Sequence, residues 1–280
     1  MKHAISIAAV LIILIIQPSI VSGDYWYGDF LDNTTSVFTE DAAMYSAPDI
    51  NSSVTVLIPI GTDVEISGSA GEDIFTNGTP SYWYSVKCTL DDMEYSGFMP
   101  GLYLAMSSLE LGLDTLFLFN VTGYVQEDDR FTASAKIVIS GEIAAEQEFL
   151  ATGNGFGPVP YSYCIRGTEL SNEGLAGMRN LIELSFIYEA CGYLNRDVLF
   201  AWTDDKFIMG PEAYSLFEAG IFHFNETFIT PSDSSGISDE VIVLTSTEEW
   251  DETIGEYVET ESSHLIYYWN GSEFTPFAEL

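Results

Sequence analysis

A thiol and two imidazoles are the first place to look for chemistry. Cys191 lies in Glu189-Ala190-Cys191-Gly192, and His223 and His264 are the histidines beyond the first few residues. A cysteine beside an imidazole can attack a carbonyl, but the thiolate needs a lowered pKa, which a helix N-terminus usually supplies. The residues that follow Cys191 read instead as a strand. A structural role fits better. Cys164 and Cys191 lie in the same C-terminal region of a chain that opens with an export signal, so the two are expected to form a disulfide. Cys88, in the alternating stretch Ser85-Val86-Lys87-Cys88-Thr89, is expected to be a core thiol. The sequence holds no Gly-X-Ser-X-Gly, His-Glu-X-X-His or Ser-X-X-Lys signature. The stretch Gly153-Asn154-Gly155-Phe156-Gly157-Pro158 has glycines but no following Lys, so it reads as a turn and not as a phosphate cradle. The 43 Asp and Glu residues could supply a carboxylate pair for glycoside hydrolysis, which only geometry can single out.

One turn has the residue types of a calcium loop. Asp233-Ser234-Ser235-Gly236-Ile237-Ser238-Asp239 precedes the apolar run Val241-Ile242-Val243-Leu244. Calcium takes about six to eight oxygen ligands, several of them charged. The turn resembles the calcium-binding turns of exported β-propeller repeats; that resemblance implies Asp233 and Asp239 as ligands, with Ser235 where those turns carry a central carboxylate. Asp233 can equally cap a polar turn by local hydrogen bonds. No motif requires a cofactor, and calcium is the one the sequence admits. Residues 248–261 carry seven acids and no base, the pattern of a solvated loop.

The charge balance narrows the partners. There are 43 acids against 8 Lys and Arg, a net charge of −35, and the acids are spread along the whole chain. Nucleic acid and anionic membrane surfaces are disfavoured, because binding them requires Lys and Arg. Cationic partners, divalent cations or a salty medium are favoured. The first residues form an export signal: Lys2 and His3, an apolar run over 4–16, then Gln17-Pro18 and small residues at Val21-Ser22-Gly23. That run is shorter than the roughly 20 residues a membrane span needs, so residues 1–23 are expected to be removed. No later segment is expected to cross a membrane. The mature protein is then periplasmic, displayed on the cell surface or secreted. Asn-X-Ser/Thr sequons stand at Asn33, Asn51, Asn77, Asn120, Asn225 and Asn270.

The elements that must position these residues are strands. Short runs rich in Val, Ile, Thr, Tyr and Phe recur between Gly, Asn, Asp, Ser and Pro. Residues 55–58, 64–66, 83–88, 116–121, 135–139, 181–188, 198–202, 241–245 and 265–269 are all expected to be strands. Helical periodicity is scarce: 213–219 could make two turns after Pro211, and 142–150 could be a strand or a short helix. The fold class is therefore all-β, with a small domain over 36–106, a linker over 107–114 and a larger antiparallel β domain over 115–280.

Within the first of these, the order Ala43-Met44-Tyr45-Ser46-Ala47-Pro48, Ile58-Pro59-Ile60-Gly61-Thr62-Asp63-Val64-Glu65-Ile66, Tyr82-Trp83-Tyr84-Ser85-Val86, Tyr95-Ser96-Gly97-Phe98-Met99 and Leu102-Tyr103-Leu104 resembles a bacterial SH3-like domain. Two departures stand out. Met44-Tyr45-Ser46 replaces the family's usual Asn-Val-Arg, and 67–81 is longer than its usual turn. The resemblance implies a small barrel that binds a peptide or a cell-wall stem peptide, with Tyr45, Tyr82 and Trp83 on the ligand face. A second similarity is internal. Residues 181–184 with 196–207, and 240–244 with 263–274, each read as apolar strand, loop and Trp–turn–Phe hairpin, with Asn270-Gly271 a strong turn signal. This resembles a degenerate form of exported β-propeller repeats, whose turns bind calcium. The expected function is non-enzymatic binding outside the cell. A cell-envelope hydrolase with its site in 107–280 and a calcium-stabilised scaffold or adhesion protein are the alternatives.

Overall fold

Alternation of apolar and polar residues, broken by Gly and Asp turns, yields eighteen strands and no α-helix among the described residues of the computed structural model. These are 34–76, 79–125, 127, 130–151, 163–188 and 191–277. The expected export signal over 1–23, residues 24–33, Asn77, Asp128-Asp129 and the glycine-rich stretch at 153–158 lie outside them. Among the described residues no helix is long and apolar enough to cross a membrane.

The first sheet contains β1 (Thr34–Ser36), β2 (Ala42–Tyr45), β3 (Val54–Ile58), β4 (Asp63–Thr76), β5 (Thr79–Leu90) and β6 (Met93–Pro100). Their order is β1-β4-β5-β6-β2-β3. Its two edges, β1 and β3, do not pair, so the closed barrel expected here is an open sheet. The long turn expected over 67–81 is largely strand: β4 and β5 extend into one hairpin, and two irregularities, at Ile66/Gly68 and Ser69/Asp73, absorb the extra residues. Gly97 allows β2 to approach β6. A Cβ there would lie 2.5 Å from the Tyr45 carbonyl oxygen and 2.7 Å from Met44 Cγ.

The second sheet runs β10-β9-β8-β7, built from β7 (Ser107–Gly112), β8 (Thr115–Val125), β9 (Arg130–Ile139) and β10 (Glu142–Ala151). Residues 107–112, expected to be linker, are thus a strand, because Ser107–Glu110 pair with Leu116–Phe119 across a short turn. β8 is apolar without a break over Leu116-Phe117-Leu118-Phe119, where both of its faces are covered. Leu118 and Val138 pack on Phe38, Ile60 and Ala105 from the first sheet's connections. Phe117 and Phe119 face the third sheet.

That third sheet is one antiparallel meander, β11 (Tyr163–Leu170), β12 (Met178–Tyr188), β13 (Leu194–Thr203), β14 (Phe207–Glu218), β15 (Phe222–Ile229), β16 (Glu240–Asp251), β17 (Glu256–Trp269) and β18 (Phe274–Phe277), paired in chain order. The two similar units of the sequence map onto β12–β14 and β16–β18, joined by β15. They share one continuous sheet and do not form separate four-stranded blades. A turn forms at Asn270-Gly271, one residue later than a two-residue Asn-Gly turn: Gly271-Ser272 are central, and Asn270 Oδ1 accepts bonds from the Ser272 and Glu273 N–H groups at 3.0 and 3.1 Å. Residues 213–218, where two helical turns were expected, continue β14, and 142–150 fall in β10. Pairing with β13 and β15 on either side outweighs the local helical pattern there. Pro211 sits at the irregularity opposite Val198/Phe200 and does not open a helix.

Two cores hold the third sheet. Phe186, Phe200 and Phe207 meet Phe117, Phe119 and Phe149 of the second sheet, with ring centroids 5.5 to 6.2 Å apart. At the other end the sheet curls over, so that Val241 and Trp269 pack with Leu181, Leu199 and Ala201. Trp269 Nε1 donates to the Ala176 carbonyl at 2.8 Å.

Candidate functional site

The three sheets meet along a polar seam. β1 is a short edge strand, and its pairing with β4 sets Ser36 opposite Asp63. The Ser36 hydroxyl, 1 % exposed, donates to Asp63 Oδ1 at 3.1 Å and lies 2.8 Å from Ser108 Oγ on β7. One residue away, Ser107 Oγ accepts the Gly167 N–H of β11 at 2.9 Å. Thr35 Oγ1 donates to the Ala105 carbonyl at 2.7 Å. Hydroxyls thus satisfy backbone and side-chain groups where strands of three sheets approach without forming a common ladder.

Two clefts open on this seam, and a third, on the first sheet alone, shares Asp63 with them. One seam cleft, of about 280 Å³, is lined by Ser36, Ser107, Ser108, Cys164 and Arg166. The other, of about 670 Å³, passes Ser108, Glu110, Asp114 and Glu169. The third cleft, of about 790 Å³, runs over β4, β5 and β6 past Glu65, Lys87, Glu94 and Tyr95. Asp63 is a wall of all three. The lining carboxylates are Asp63, Glu65, Glu94, Glu110, Asp114 and Glu169, and the cationic side chains are Lys87 and Arg166. Such a surface accepts hydrogen bonds from ammonium groups and N–H donors. Neither His223 nor His264 lines it; both belong to the third sheet, on β15 and β17.

The residues expected to bind ligand lie elsewhere. Trp83 is 1 % exposed and Tyr45 9 %, and their rings pack edge to face at 5.4 Å. Tyr82 is half-buried against the main core. The first two fill the sheet and do not present a face to solvent. Tyr95 is the aromatic of that region which reaches a cleft.

The expected disulfide does not form. No two of the cysteines lie at bonding distance; Cys88 is buried, Cys164 half-buried and Cys191 exposed. Cys164 stands opposite Ile187 on the β11–β12 ladder. Cys191 has moved on into a turn that leans toward β14, where the Gly192 N–H donates to the Phe217 carbonyl at 2.8 Å. Burial pushes the Cys88 thiol up.

Asp233 and Asp239 are both used by the backbone. Asp233 Oδ2 accepts the Thr230 N–H at 2.6 Å and the Thr230 hydroxyl at 2.9 Å. Asp239 Oδ1 accepts the Ala176 N–H at 3.2 Å. Gly236 is required by packing: a Cβ there would fall 2.0 Å from the Thr230 carbonyl oxygen. Among the described residues no three His, Cys, Asp or Glu side chains are grouped as a metal site would need. Of the sequons, Asn120 is fully buried and its Nδ2 donates to the Leu102 carbonyl at 3.1 Å, so its role is structural.

A second acidic feature has a measurable consequence. Burial raises the carboxyl pKa of both Glu183 on β12 and Asp197 on β13, and the neighbouring Asp197 charge raises Glu183 further. A carboxyl whose folded pKa lies above its unfolded value stabilises most below the unfolded pKa, and that contribution is lost as pH rises through the folded value. The midpoint of thermal unfolding is therefore expected to rise on going from about pH 7.5 to about pH 5. In the double variant Glu183→Gln/Asp197→Asn the rise should be smaller. An unchanged slope would show that the pair does not carry the dependence.

Compared with protein-family models, with curated proteins and with solved structures, the chain matches none. What fold and site define is a protein of three antiparallel sheets with an acidic seam. The seam residues were not legible in advance. Ser36, Asp63, Ser108 and Arg166 come from four distant segments, and only Asp63 lies in the stretches that resemble an SH3-like domain.

Proposed function

We propose that the chain is an exported, non-enzymatic binding protein whose seam takes an extended peptide with free amines, such as a cell-wall stem peptide. One observation carries this reading: three clefts converge on Asp63, and their walls hold carboxylates in excess of cationic groups. Seated hydroxyls and carboxylates accept from an ammonium or a peptide N–H, and Tyr95 offers an aromatic wall. The resemblance of residues 43–104 to an SH3-like domain supports a peptide ligand, and the export signal expected at residues 1–23 supports an encounter outside the cytoplasm. The ligand contact lies on the β1–β4 edge of that region instead of on Tyr45 and Trp83. Hydrolysis has less support, because Ser36 has a carboxylate and a second hydroxyl beside it but no imidazole to take its proton.

The test is calorimetric titration of the mature chain with a stem peptide carrying free amines, and with the same peptide N-acetylated. A hydrogen bond to a charged group contributes roughly 1.5–3 kcal/mol, so acetylation and Asp63→Asn are each expected to weaken binding about tenfold or more. Asp63 is solvent-exposed, so the variant should keep the wild-type melting temperature. Equal affinity for both peptides, or no binding of either, would contradict the reading.

A further inference from the structure

At the far end of the third sheet, two hairpin tips expose what most of this acidic chain hides. Phe217 and Ile221 at the β14–β15 turn are 42 % and 58 % exposed, and Trp250 and Ile254 at the β16–β17 turn are 37 % and 59 % exposed. The tips are fastened together. The Trp250 N–H donates to the Ile221 carbonyl at 2.9 Å, and the Gly220 N–H donates to the Tyr257 hydroxyl at 2.7 Å. Below them His223 is stacked on Tyr257 at 4.0 Å and lies 4.2 Å from Phe217, while Trp250 meets Tyr257 edge to face at 5.1 Å. The knob is therefore a built apolar surface on two hairpins joined by hydrogen bonds and stacked rings. Around it stand Glu218, Glu248, Glu249, Asp251, Glu252 and Glu256, and neither tip carries a Lys or Arg.

We infer that these paired tips are a docking surface for a basic amphipathic protein segment, one with an apolar stripe flanked by Lys and Arg. Exposed Trp, Phe and Ile gathered at one spot are the composition of an interface centre. The carboxylate rim selects the partner's charge and accelerates its approach. A second copy of this chain would bring rim against rim, and an anionic lipid surface would meet the same repulsion. This surface is distinct from the seam, whose clefts are lined by other residues.

The probe is a designed helical peptide of Leu and Lys, measured by fluorescence anisotropy against the mature chain at low and moderate salt. Two companion peptides replace Leu by Ser or Lys by Glu. Binding of the Leu/Lys peptide, weakened by salt and at least tenfold tighter than either companion, is expected. Ile221→Ser/Ile254→Ser, which alters two exposed side chains, should weaken it tenfold or more while leaving the melting temperature unchanged. Trp250→Ala should act in the same direction. If the Ser/Lys peptide binds equally well, the attraction is charge alone and the proposal fails. It also fails if the tip variants bind unchanged, if the tips instead carry the chain onto lipid vesicles, or if they mediate its self-association.

Discussion

Replacing Phe200 with alanine is expected to destabilise the whole chain by roughly 3–5 kcal/mol, the range for removing a buried aromatic ring. Phe200 is fully buried on β13. Its ring lies 6.1 Å from Phe117 and 5.5 Å from Phe149 of the second sheet, and 5.3 Å from Phe207 of its own. Each neighbour is held by a different strand, so none can move into the space without leaving its own ladder. The cavity should stay largely open, which puts the cost toward the upper end. Because the same core runs from the first sheet through the second to the third, the loss should lower a single unfolding transition. Chemical denaturation followed by tryptophan fluorescence and far-UV circular dichroism measures it. Two separated transitions, with only one shifted, would show that the second and third sheets do not unfold together.

Arg196→Ala is expected to cost about 3 kcal/mol, for electrostatic reasons. The guanidinium is buried on β13, donates to the Leu150 carbonyl of β10 at 2.9 Å, and pairs with Glu212 on β14 at 2.5 Å. Removing it takes the guanidinium from Glu212, which keeps its bond from the Tyr214 hydroxyl, and leaves the β10 carbonyl without this donor. Glu212 keeps some solvent contact, which holds the cost toward the lower part of the range for breaking a buried pair. The double variant Arg196→Met/Glu212→Leu should recover most of the loss, since no charge is then left stranded. Tyr214 reports on the same network. Its phenol is pushed up to about 12 by burial first, then by its hydrogen bond to Glu212 and by the Glu212 charge. Glu212→Gln should bring it back toward 10, read by ultraviolet titration of the phenolate. An Arg196→Ala protein as stable as wild type would show that the pair and its carbonyl contact are dispensable.

The strands were legible because their signal is local. Leu116-Phe117-Leu118-Phe119 is a short apolar run of strand-forming residues, and Asn270-Gly271 marks a chain reversal. What escaped was whatever depends on partners distant in sequence. Residues 107–112 look like linker until β8 is beside them, and 213–218 look helical until β13 and β15 flank them. The same holds for the sites. Trp83 and Tyr45 are residue types that serve equally as ligand surface and as core, and their packing against each other decides for core. Asp233, Asp239 and Gly236 fit a cation loop by composition. Their contacts with Thr230 and Ala176 make them instead the fastening of two loops. Cys164 and Cys191 are close in sequence order along the meander but point into different neighbourhoods once the register is set. The seam had no sequence signature at all, because it exists only where three sheets meet.

The seam carries the proposed binding, and chemical-shift mapping tests it most directly. Isotope-labelled mature chain would be titrated with the free-amine stem peptide and its backbone amide shifts followed. The largest changes are predicted around Ser36, Asp63, Ser108 and Gly167, with smaller ones near Tyr95 and with Trp83 and Tyr45 nearly still. Changes centred on another surface, or an unaltered spectrum at saturating peptide, would contradict it.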